Sequence, residues 1–391
     1  MNKVLTAIVI AQFFCTSVWF ASNAVLTDLI KSLHLDLSFV AQVTSAVQLG
    51  FIAGTLLYAL FTIADRFSPS RVFFISALLA AAFNLGTTLN NIDANTLLLL
   101  RFFTGFFLAG IYPVGMKIAS DYYQKGLGAS LGFLVGALVL GTAFPHLLKS
   151  LGTTFPWRSV VYATSVLAMA GGLVIVLGVP DGPYRKKGGA IYANAFLKGF
   201  AQKEFRSAAF GYFGHMWELY TFWAFVPVML AAYQQYYPAT TLNVPLLSFA
   251  IIAAGSLACI ISGRLSLRVP AKKLATIILS LSCLCCLAAP FFLLNASVTL
   301  LVVFLFFWGL VVIADSPLFS TLVAQNAPVE SRGTALTIVN CIGFSITIIS
   351  IQLLHYAVDV LGTFSFLLLA PGPLAGLLIL KEKQKVAALV S

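Results

Sequence analysis

The chain has 391 residues, 60% of them hydrophobic and only 9% charged, with a formal net charge of +11. A soluble fold of this length cannot clothe such a composition in polar surface, so a soluble enzyme or a nucleic-acid-binding domain is excluded. The apolar residues fall in runs near or above the ~20 needed to cross about 30 Å of hydrocarbon. In lipid every backbone amide must be paired within the protein, so these runs are read as helices; the short alternating segments of a β-barrel are missing.

In chain order the predicted spans are 4–30, 38–63, 70–90, 96–120, 127–150, 157–179, 206–233, 244–265, 271–294, 298–324, 333–356 and 361–380. That is twelve, six in each half of an all-α membrane protein. The first run is longer than the apolar core of a signal peptide and is read as a retained helix. It carries Gln12, Thr16, Trp19 and Asn23 on one face. Helix two repeats the idea with Gln42, Ser45, Gln48 and Thr55, and helix eleven with Thr337, Asn340 and Thr347. Such stripes face water in a cavity or hold helices together; for helices two and eleven packing is the expectation.

Helix four opens a repeat. Phe102-Phe103-Thr104-Gly105 with Pro113 returns as Phe306-Phe307-Trp308-Gly309 with Pro317, at an offset of 204 residues. Gly and Pro in apolar helices fix close approach and bends, so their repetition repeats a helix geometry. Arg66 and Arg71 likewise return as Arg268 and Lys273. Two matched halves follow: a six-helix bundle over 1–180, a linker over 181–205, and a second bundle with a short basic tail over 206–391. Asp181-Gly182-Pro183 stops helix six. Phe196 and Phe200, with Lys198 and Lys203, suggest either a short surface helix or an ordinary linker.

Most Lys and Arg sit in the islands on the side of the N-terminus; Lys31, Arg101, Lys149 and Arg158 fall on the other. By the positive-inside rule both termini face the cytoplasm, in a bacterial-type inner membrane. The six cysteines are read as thiols. Cys283, Cys285 and Cys286 diverge around one helix, and His146 and His355 lack visible partners, so no metal site or cofactor is expected.

Charges at membrane depth are functional candidates by default. His215 and Glu218 share one face of helix seven at i, i+3, a pair suited to binding and releasing a proton. Asp315 stands beside the bend expected at Pro317 and aligns with Ile111 of the first half. It either faces a cavity or caps amides freed at the bend. Arg101 either snorkels to the interface or binds an anion or a carboxylate such as Asp28.

Ala64-Asp65-Arg66-Phe67, Arg101 with Gly105, and the helix-five glycines Gly132, Gly136 and Gly141 together resemble the motifs of major facilitator superfamily transporters. The resemblance covers essentially the whole chain. The first motif is partial, with Phe61 and Ser68 where the family has Gly, and Pro145 does not directly follow Gly141. The resemblance implies two bundles rocking about a central site lined by helices one, four, seven and ten. It implies a cytoplasmic gate at Asp65 and Arg66, and a monomer. Phosphate-loop, zinc-protease and esterase signatures are missing, so the chain is not read as an enzyme.

The resulting expectation is a secondary transporter for a small organic molecule, with protons as coupling ion. Glu218, His215 and Asp315 would handle the proton. Gln12, Trp19, Asn23, Arg101, Tyr112, Trp217, Tyr220 and Trp223 would line the substrate cavity. Proton-driven efflux of amphipathic compounds is the alternative, and a membrane-embedded sensor a distant one.

Overall fold

The computed structural model describes residues 3–33, 39–123, 127–152, 156–185, 199–327 and 332–380. Residues 196 and 198 of the suggested surface helix, and the basic tail, lie outside them. The described residues are all helical or loop, without strands. In order they form α1 Lys3–Thr16, α2 Ala21–Ala24, α3 Leu26–Leu33, α4 Phe39–Leu60, α5 Ile63–Arg66, α6 Pro69–Gly86, α7 Ala94–Leu108, α8 Tyr112–Tyr122 and α9 Leu127–Ser150. There follow α10 Trp157–Gly178, α11 Lys203–Tyr236, α12 Val244–Leu265, α13 Ala271–Asn295, α14 Val298–Ala314, α15 Ser316–Asn326 and α16 Arg332–Leu361. A 3₁₀ stretch, Gly362–Leu369, leads into α17 Pro371–Leu380.

Nine helical stretches among the described residues are long and apolar enough to cross a membrane. Their outward faces carry bare Leu177, Val360 and Leu378, which water would not tolerate in such number but lipid does. Helix α11 is not among the nine; His215, Glu218 and its tyrosines dilute its apolarity.

Besides the twelfth, which begins with the 3₁₀ stretch, three predicted spans are interrupted. The first breaks after Thr16, the fourth over 109–111 and the tenth at Asp315. The last two breaks are copies of one another. In each, a proline enters the first turn of the following helix, Pro113 in α8 and Pro317 in α15, where its missing N–H has no helical partner to lose. Asp93 begins α7 by accepting the Thr96 amide at 2.8 Å. The Thr96 side chain and amide together hold the Asp93 carboxyl below its usual range.

The repeat is also a packing repeat. A Cβ on Gly105 would fall onto the backbone of Val47, and one on Gly309 onto the backbone of Ile251. Val47 and Ile251 are separated by the same 204 residues as the two glycines. Thus α7 lies on α4 as α14 lies on α12, and only glycine permits either approach.

Within the first group of helices α6 also packs on α10, and α1 on α9 and α10; within the second, α11 packs on α16 and α17. Two seams join the groups, α9 along α12 and α4 along α16. Two of the helix-five glycines serve the first seam: a Cβ on Gly132 would come within 2.9 Å of Cys259 O, and one on Gly136 within 3.0 Å of Ser256 O, whereas Gly141 lies against Thr16 and Phe13 of the first span. The second seam is closed in its upper part, where Gln352 Nε2 donates to Ser45 Oγ at 2.9 Å. Its other end is open.

Candidate functional site

At that open end a cavity of about 540 Å³ runs between α4 and α8 on one side and α15 and α16 on the other. Thr55, Tyr58, Ser120, Ser320, Thr337 and Asn340 give it hydroxyl and amide walls, with Asp65 and Lys117 among the lining. One turn along α4 and α16 from the lining residues Thr55 and Asn340, Phe51 and Phe344 meet at 4.7 Å in an aromatic layer. Trp19 packs at 4.9 Å on Phe51, and faces Tyr220 at 5.7 Å and Phe344 at 5.8 Å, both at an interplanar angle of 26°. Trp223 joins from Tyr220 at 5.1 Å and meets Phe20 edge-on. Trp19, Phe20 and Phe51 come from the first group of helices; Tyr220, Trp223 and Phe344 come from the second.

The break after α1 that presents Trp19 is held by Arg101. This guanidinium is fully buried and donates to Val18 O at 3.2 Å, Trp19 O at 2.5 Å and Asn84 Oδ1 at 3.1 Å. The carbonyls at a helix C-terminus carry partial negative charge, and the planar fork of arginine meets several at once. Arg101 therefore does not snorkel, and it does not meet Asp28, which pairs with Lys149.

His215 and Glu218 do not act as a mutual pair. His215 Nδ1 lies 2.8 Å from Asp315 Oδ1, with both side chains at most 1% exposed. The His215 ring sits between Tyr212 and Phe319. Asp315 occupies the N-cap position of α15 but makes no side-chain cap hydrogen bond there. The capping alternative is thus corrected: the carboxylate turns to His215. Glu218 turns elsewhere, its Oε1 accepting from Ser282 Oγ and Trp308 Nε1, each at 2.6 Å. Three residues along a helix turn the side chain by about 60°, enough to send these two neighbours to different helices.

Of the remaining cavity candidates, Gln12 is fully buried with both amide atoms free of hydrogen bonds, and borders Gly115. Asn23 Nδ2 donates to Thr44 Oγ1 at 2.6 Å. Tyr112 packs half-buried against the core. Trp217 is a correction: its Nε1 donates to Leu368 O at 2.8 Å and its ring covers Gly372, so it packs against α17, away from the centre. Gln48 was expected to pack. It too is fully buried with neither amide atom bonded, two turns from Thr55 on the same α4 face. The signal was its register with Thr55, which the polar stripe already contained. Helix eleven divides: Thr347 packs, donating to Met216 O at 2.8 Å, whereas Thr337 and Asn340, also expected to pack, line the cavity, and Asn340 accepts from Tyr212 at 2.7 Å.

At the mouth Asp65 pairs with Lys117 at 2.8 Å, and Lys117 lies 3.7 Å from Asp121. Arg185 donates to Phe67 O at 2.7 Å and pairs with Asp181, tying the segment after α10 to the loop before α6. Arg66 is exposed, and its side chain makes no hydrogen bond or ion pair among the described residues. These ties join residues of 65–185 to one another and do not cross the mouth to α15 or α16.

The sequence profile of the Major Facilitator Superfamily matches residues 8–351. The chain belongs to this superfamily. It is a membrane transport protein and not an enzyme. Among solved structures it is similar to the human organic anion transporter MFSD10 (TETRAN), with a TM-score of 0.75 at 13% identity, over 97% of this chain and 99% of that one. At that identity the likeness speaks for the superfamily fold alone. No curated protein matches the chain in sequence.

Proposed function

We propose that this transporter carries a small organic solute together with protons by alternating access, and that the His215–Asp315 pair is where the proton binds. The observation that carries the reading is the pair itself: a carboxylate and an imidazole in contact, both buried, at a helix break, with no capping duty. A neutral imidazole beside a carboxylate takes up one proton to become an ion pair with no net charge, and burying the carboxylate's charge alone is costly. Proton binding is thereby tied to the packing of α11 against the α14–α15 break. Glu218 is a second proton site, set among α13 and α14.

The reading includes twelve crossings, with α1–α3 and α11 each crossing once and 333–380 twice. It includes two rocking bundles, 1–180 and 206–391, and termini in the cytoplasm of a bacterial-type inner membrane. The cavity then opens to the cytoplasm, and the aromatic layer with the Gln352–Ser45 contact closes the outside. Asp65 and Arg66 belong to the gate that closes when the mouth shuts. The superfamily neighbour transports organic anions; here Arg101, the candidate for such a charge, is already engaged by carbonyls.

The test is proton uptake by proteoliposomes or cells. Wild type should draw protons in with substrate, and Asp315→Asn should abolish proton movement while remaining folded. Unaltered proton movement in Asp315→Asn would remove the pair from the mechanism.

A further inference from the structure

We infer that the cargo is an uncharged, flat ring compound bearing an amide-like donor and acceptor on its edge. This rests on the transporter reading above and adds the substrate class. The argument begins with charge. Asp65 and Lys117, the charged residues lining the cavity, neutralise one another. Arg101 gives Nη1 and Nη2 to backbone carbonyls and Asn84 and keeps Nε unbonded, Asp315 meets His215, and Glu218 accepts from Ser282 and Trp308; none of the three lines the cavity. A carboxylate or ammonium in the cavity would find both lining charges already paired, and a buried unpaired charge is the costliest group to accommodate.

Uncharged hydrogen-bonding capacity, by contrast, is left over in the cavity wall and the core beside it. Both amide atoms of Gln12 and of Gln48, the indole N–H groups of Trp19 and Trp223, and the hydroxyl of Thr55 make no hydrogen bond, yet all five residues are at most 5% exposed. Native interiors rarely leave such groups without a role. Their placement converges. Thr55 lines the cavity, and Gln48 follows two turns along the same face with Phe51 of the aromatic layer between them. Gln12 Oε1 borders Gly115, between the lining residues Val114 and Met116. A carboxamide offers one acceptor and an N–H donor side by side, the complement of another amide.

Ring shape follows from the aromatic layer. Trp19 belongs to one group of helices and faces Tyr220 and Phe344 of the other at 26°. Parting the groups parts these faces, and a flat ring presented between them keeps aromatic contact on both sides.

The test uses matched probes that differ in charge on one ring. Nicotinamide and benzamide are compared with nicotinate and benzoate, and uracil is added as a cyclic amide. The readout is thermal unfolding of the full chain in nanodiscs at neutral pH, with each probe at about 10 mM, since a ligand that binds only the folded state stabilises it by mass action. The amide-bearing rings should raise the unfolding temperature and the carboxylates should not. Gln48→Leu and Gln12→Leu should lose that rise, while the unfolding temperature without probe is unchanged or higher, because neither amide is bonded in the wild type. Preference for the carboxylates overturns the inference, as does failure of every neutral ring or a full response in both leucine variants. Proton movement is measured separately. Neutral-ring binding without it would keep this inference and remove proton coupling; proton coupling with carboxylate preference would do the reverse.

Discussion

His215 and Asp315 are brought together by a helix break that the first half of the chain also has, but leaves without a charge. Ile111 and Asp315 both stand at the N-cap of the helix that starts with the repeated proline. The scaffold is duplicated and the carboxylate is not.

That asymmetry yields the first prediction. Removing one member of a buried ion pair costs about 3–5 kcal/mol, because the remaining charge is left unpaired. Asp315→Asn should therefore lower the unfolding temperature. The double variant His215→Gln with Asp315→Asn carries no charge in either protein half of the pair and should recover part of the loss. Both should lose proton-driven uptake by about tenfold or more, as expected when a proton-transfer group is removed. Equal stability of the single and double variants at every pH would show that the two side chains are not coupled.

Glu218 is predicted to separate into a structural and a functional effect. Its Oε1 accepts two hydrogen bonds, from Ser282 and Trp308. Glutamine retains an acceptor in the same place, so Glu218→Gln should fold with little change in unfolding temperature while the pH dependence of transport shifts. Glu218→Ala leaves both donors without a partner and should destabilise by about 1–3 kcal/mol for each such group. Unchanged pH dependence in a folded Glu218→Gln protein would confine this residue to the scaffold.

Much of this architecture was legible because lipid simplifies the reading. Long apolar runs become helices, and glycine and proline mark where helices touch and bend. The offset relating Gly105 to Gly309 therefore foretold a contact at each. The partners of the polar groups were less legible. Periodicity places His215 and Glu218 on one face but does not say which neighbour each meets, and the choice was made by α13, α14 and the break at Asp315. Arg101 read as a free cation because its partners are backbone carbonyls, which every residue has. Trp217 read as a cavity residue because composition alone does not distinguish the face of α11 that meets α17. Gln48 was assigned to packing for the same reason.

The paired glycines give a prediction about the fold itself. Gly105→Ala and Gly309→Ala each place a Cβ against a neighbouring backbone, which has no rotamer to yield. Overpacking of this kind costs about 1–3 kcal/mol. The two variants should destabilise to a similar extent, measured by thermal unfolding in detergent or nanodiscs. Gly178→Ala is the control, since a Cβ there meets nothing within 4 Å. A large effect at one repeated glycine and none at the other would mean that the two halves do not share this packing.

The last prediction concerns which end of the cavity is open and which side of the membrane it faces. Thr334 lines the cavity near its mouth, whereas Asn243 is exposed where α12 starts, at the opposite end of the bundle. The six native cysteines are all buried, so a membrane-impermeant maleimide should label the wild type poorly. In intact cells it should label Asn243→Cys and spare Thr334→Cys. Once the cells are permeabilised, Thr334→Cys should label as well. A cargo or a neutral ring that drives the bundles toward the outward-open state should then protect Thr334→Cys, because a ligand shifts the balance of states only by binding one of them more tightly. Labelling of Thr334→Cys in intact cells would reverse the assigned orientation. Permeabilised labelling that never responds to any transported solute would mean that the mouth does not close during the cycle.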